Sequence, residues 1–110
     1  MITKIKDLLA KKPKHHRKIY AIRGGTHRGE FFVYISEDQD NYNFLIIPEI
    51  DVATVSKADF DTGIKEKIVD LVEKLPDNVY QICCAQYNEA KSKNDINRLK
   101  QSLTSSSVDS

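Results

Sequence analysis

The stretch Arg23-Gly24-Gly25-Thr26-His27-Arg28-Gly29 gathers the residue types in this chain best suited to chemistry. Glycines let backbone amides converge on an anion, and arginine, threonine and histidine side chains add further donors. The chemistry implied is recognition of a phosphate or similar anion. The pattern is neither a Walker loop nor a dinucleotide fingerprint, because a second strand follows it and not a helix. Upstream, Lys14, Arg17 and Lys18 supply more cations. The candidate anion or nucleic-acid site therefore comprises Lys14, Arg17, Lys18, Arg23, Gly24, Gly25, Thr26, His27 and Arg28.

Other chemistries find less support. Glu30 beside Thr26, His27 and Arg28 would furnish a group able to attack a phosphodiester, but no spacing selects it, so no catalytic residue is assigned and no enzyme is expected. His15, His16 and His27 match no common metal-ligand set, and the neighbouring lysines oppose a cation, so no metal is expected. There is no cofactor fingerprint. Cys83 and Cys84 are adjacent. In a strand they would point to opposite faces and could not bridge without severe distortion.

The net charge of +1 hides a segregation. Residues 1–28 carry nine Lys and Arg against Asp7 alone, and residues 29–89 carry thirteen acids against four lysines. Such asymmetry fits an anionic partner, or a basic head that meets the acidic body of the same or another chain. Two partner classes follow. One is RNA or DNA, held by phosphate contacts, with Tyr20 or Tyr34 stacking on a base. The other is a protein, or a second copy forming a homodimer, docked on the acidic body. No run approaches the ~18 apolar residues of a membrane span. Charges interrupt the N-terminal stretch too often for a secretory leader, so the expected location is cytoplasmic.

The elements that must position these residues follow from periodicity. Ile2, Ile5, Leu8 and Leu9 predict a short amphipathic helix over about residues 2–12, stopped by Pro13. Ile19–Arg23 and Glu30–Ser36 read as two strands joined by the glycine loop, and Asn43–Ile47 as a third with both faces covered. Glu49–Val55 reads as an irregular extension. Ser56 and Asp59 form a helix start, and Phe60, Ile64, Ile68, Leu71, Val72 and Leu75 a helical stripe that makes Ile68 and Leu71 core residues. Pro76-Asp77-Asn78 ends that helix, Val79–Tyr87 reads as a fourth strand, and Ile96, Leu99 and Leu103 suggest a last helix over 92–103. The serine-rich residues 104–110 read as a disordered tail.

The expected fold class is α+β in the order α-β-β-β-α-β. It has a three- or four-stranded, largely antiparallel sheet with helices packed on one face, and residues 1–91 form a single domain. The helix–three strands–helix order resembles a double-stranded-RNA-binding domain in topology. That family meets phosphates with a lysine cluster at its second helix, where Ser56–Asp61 here holds one lysine and two acids, so no family is assigned. The function expected is a small non-enzymatic binding or regulatory module contacting nucleic-acid phosphates through its basic N-terminal segment and hairpin loop. The second reading is a protein-interaction or inhibitor module, a phage or microbial accessory protein, using its acidic body. A small phosphodiester-processing enzyme is the third reading.

Overall fold

A computed structural model describes the backbone of residues 13–109 and the side chains of residues 13–103. The helix expected over residues 2–12 lies outside the described residues. The chain is α+β. Four strands come first: β1 (Lys18–Ile22), β2 (Phe31–Glu37), β3 (Asn41–Ile47) and β4 (Asp51–Ser56). Helix α1 (Lys57–Lys65), strand β5 (Val69–Lys74) and the long helix α2 (Asp77–Asp109) complete it. The five strands make one antiparallel sheet in the order β4-β3-β2-β1-β5.

The strands form where alternation places apolar side chains on both faces. Tyr20, Ile22, Phe32, Tyr34, Phe44 and Ile46 cluster on one face under Phe60 of α1. Ile19, Val33 and Leu45 cluster on the other with Leu75 and with Tyr80 and Tyr87 of α2. Phe44, Leu45 and Ile46 are consecutive and all buried, as an apolar run without alternation requires. The expectation of helices on one face is corrected: each face carries its own helix.

Three further corrections have local physical causes. Glu49–Val55 is not an irregular extension, because the turn after Ile47 sends the chain back as β4, paired with β3 from Asn41↔Ser56 to Ile46↔Asp51. The helix begins as expected, with Ser56 Oγ accepting from the Asp59 amide at 3.0 Å. It stops at Lys65, where Lys67 takes a left-handed φ of 62°. The Lys67 amide donates to the Ile64 carbonyl at 3.1 Å and the Ile68 amide to the Gly63 carbonyl at 2.8 Å. This is the paired reversal that usually has glycine at the left-handed position. The chain then continues as β5, which pairs with β1 at the sheet edge, so Ile68, Leu71 and Val72 are exposed and do not belong to the core.

The strand expected over 79–87 is the first part of α2. Pro76 opens this helix, its carbonyl accepting from the Tyr80 amide at 2.9 Å. Tyr80, Tyr87 and Ala90 are buried and Cys83 and Cys84 half-buried, a stripe at helical period against the sheet. Both cysteines are free and on one helix, not on opposite faces of a strand. The last expected helix is the continuation of α2, and the backbone of the segment read as a disordered tail carries α2 on to Asp109. Extending a helix adds one hydrogen bond for each residue fixed, so a nucleated helix runs on through residues of modest propensity.

Candidate functional site: two charged ends of the first strand

Strand β1 places the predicted site residues at its two ends, about 13 Å apart at the usual rise per strand residue. Lys14, Arg17 and Lys18 lie at its start, and Arg23 to Arg28 follow its end.

The start of β1 is anchored by His15, which is buried. Its Nδ1 is hydrogen-bonded to the Tyr20 hydroxyl. The rings of Tyr42 and Phe60 meet it edge-on, with centroids at 4.9 and 5.2 Å. Burial holds the His15 pKa below its ordinary value, and the Lys14 and Lys18 charges push the same way. The same burial drives the Tyr20 hydroxyl up to about 12. A turn around this anchor, with the Lys18 amide donating to the His15 carbonyl at 3.0 Å, presents Lys14, Arg17 and Lys18 on a fixed frame.

Lys18 sits directly opposite Lys74 of β5, and the neighbouring Arg17 carbonyl accepts from the Leu75 amide at 2.7 Å. Like charges at opposed strand positions repel. Among the described residues no ion pair neutralises Lys14, Arg17, Lys18 or Lys74. The Arg17 Nε is buried without a hydrogen-bond partner among them. Lys74 is the residue of this end that sequence reasoning missed, because its place depends on the pairing of β5 with β1, far off in the chain.

The end of β1 is built differently. Gly25 and Gly29 adopt left-handed φ values of 81° and 90°, which the reversal requires. Several loop amides are engaged internally. Arg28 donates to the Gly25 carbonyl at 3.3 Å, Gly29 to Ile22 at 2.9 Å and Glu30 to His27 at 3.0 Å, while Arg23 reaches the Ile68 carbonyl at 2.7 Å. The Arg23 guanidinium pairs with Asp70 at 2.8 Å, and His27 Nδ1 lies 2.7 Å from Glu30 Oε1. The Arg23, Arg28, Gly29 and Glu30 amides and the Arg23 and His27 side chains thus already have partners, and Arg28 is exposed.

Beneath this loop, against α1, lies a cavity of about 440 Å³. Gly24, Thr26 and His27 line it from the loop, Asp59 and Phe60 from α1, and Glu66 from its C-terminal cap. Its charged lining is acidic. Sequence reasoning missed Asp59 and Glu66 here, since only the crossing of α1 over the sheet brings them beneath the hairpin.

On the same face, Glu37 accepts from Lys57 Nζ at 2.6 Å and from the Tyr34 hydroxyl at 2.9 Å. The Lys57 bond is the main cause that lowers the Glu37 pKa. Tyr20 and Tyr34 are buried, which removes them as stacking platforms for a base. Burial raises the Cys83 thiol pKa. Among the described residues no group of His, Cys, Asp and Glu is arranged to hold a metal, and no helix is long and apolar enough to cross a membrane. No family model, no characterised protein and no solved structure matches the chain.

Proposed function

We propose that this chain is a small binding module that contacts nucleic-acid phosphates through the start of β1, with Lys14, Arg17, Lys18 and Lys74 as the contacting residues. The observation that carries the reading is the direct opposition of Lys18 and Lys74 beside Arg17, with no neutralising ion pair among the described residues. A polyanion relieves that repulsion and releases its own condensed counterions. The contacts are to the backbone and so position the partner without reading sequence. Arg28 extends the cationic surface at the far end of β1, while Arg23 contributes less because Asp70 holds it.

The test is fluorescence anisotropy with labelled single- and double-stranded RNA and DNA at two salt concentrations. Binding should occur at low salt and weaken steeply at high salt. Absence of binding to all four at low salt overturns the reading.

A protein partner is the second reading. Ile96, Leu99 and Leu103 are exposed at helical spacing on α2. Such a stripe suits an amphipathic partner helix.

A further inference from the structure

The cavity beneath the hairpin loop carries chemistry opposite in sign to the start of β1. Its volume of about 440 Å³ is within the range that holds small organic ligands. Ile22, Phe32, Phe60 and Val69 give it buried apolar walls. Its charged and titratable lining is Asp59, Glu66 and His27, and no lysine or arginine lines it.

Asp59 and Glu66 each present a carboxylate acceptor. The Asp59 backbone amide makes the bond to Ser56 that caps α1, which leaves the carboxylate outside the cap. Glu66 stands at the C-terminal cap of α1, where the helix carbonyls already concentrate negative potential. An acid there opposes the helix dipole, so stabilising α1 does not account for it. No ion pair among the described residues engages Asp59 or Glu66. The His27 Nδ1 is tied to Glu30 Oε1 at 2.7 Å.

We propose that this cavity binds a small organic amine, with its ammonium at Glu66 by the C-terminal end of α1 and an aromatic or branched apolar body against Phe32 and Phe60. An ammonium is a donor with no acceptor, which matches this lining, whereas a phosphate or carboxylate ligand is repelled by it. The C-terminal carbonyls of α1 favour the same sign of charge. This site is independent of the nucleic-acid reading, whose main contacts Lys14, Arg17, Lys18 and Lys74 lie at the other end of β1.

The experiment is a ¹H–¹⁵N correlation titration of the full chain with phenethylamine, 2-phenylethanol and phenylacetate. Phenethylamine should shift the amides of Gly24, Thr26 and Gly63 saturably. The alcohol should bind more weakly, and phenylacetate should leave these amides unmoved. Loss of a charge-assisted bond in Glu66→Gln should weaken amine binding by roughly tenfold while the rest of the spectrum stays in place. Asp59→Asn, about two turns away at the start of α1, should change the amine affinity much less. No saturable shift with the amine, equal binding of amine and acid, or unchanged amine affinity in Glu66→Gln would each overturn the proposal.

Discussion

Phe60 and Leu71 occupy one apolar stripe in the sequence but opposite situations in the fold, so a paired substitution tests the reversal at Lys67. Phe60 is 2% exposed and packs against Phe44, Tyr20 and Tyr42 with ring centroids at 4.8, 5.1 and 5.5 Å. Leu71, on edge strand β5, is 55% exposed. Phe60→Ala removes a filled core position at about 3–5 kcal/mol, a large share of the ~5–15 kcal/mol that stabilises a domain. Leu71→Ala surrenders less than half of a leucine's burial, about 1 kcal/mol or less. At roughly 4 °C or more per kcal/mol in a domain of this size, Phe60→Ala should lower the melting temperature by at least about 12 °C and Leu71→Ala by only a few degrees. Thermal melts followed by circular dichroism read both. Equal large losses would mean that residues 60–75 form one packed helix, and the assignment of β5 would be wrong.

Gly63→Ala gains about 1 kcal/mol of helix propensity in isolation, but the new Cβ would lie 2.9 Å from Val69 Cγ2. Net destabilisation by urea unfolding is expected, and a more stable variant would contradict the close contact between α1 and β5. Lys67→Gly relieves a left-handed backbone position and should raise the melting temperature by a few degrees, about 1 kcal/mol; a drop would contradict the reversal. His15 binds its proton less readily folded than unfolded, so stability should fall as pH drops below about 6.5 and level off once the native ring also protonates. Burial sets this first, with the Lys14 and Lys18 charges adding to it and Asp61 and Glu37 opposing it. His15→Gln should flatten that part of a stability–pH profile. Glu37, with its pKa lowered, contributes stability above about pH 4.5 that is lost only further down.

The first hairpin was legible because its β-branched and aromatic runs flank a glycine loop, and β3 because it is a short continuous apolar run bounded by turn residues. The stop of α1 was not, because Lys67 stands where the reversal would normally announce itself with glycine. The spacing of Ile64, Ile68 and Leu71 then mimics a helix that the backbone has already left. The first part of α2 was hidden by apolar residues at both alternations from Val79 to Tyr87, although Tyr80, Tyr87 and Ala90 carry the helical period. Of the candidate site, the cations were visible as a composition. Their division between the two ends of β1, the Arg23–Asp70 pair, the opposition of Lys18 to Lys74 and the burial of His15 were not. Each depends on contacts across the sheet or between its layers, and local periodicity does not encode such contacts.

The most direct test of the proposed function is the salt dependence of nucleic-acid binding in wild type and in a Lys18→Ala/Lys74→Ala double variant. Both residues lie at the surface-facing start of the β1–β5 pair, and the variant removes the like-charge opposition, so the fold should survive. Each lost phosphate contact should reduce the slope of log affinity against log salt by about 0.9 for a duplex. The account predicts weaker binding to every sequence tested and a slope shallower by about 1–2. Wild-type binding with an unchanged slope in the double variant would contradict it and move the site elsewhere on the surface.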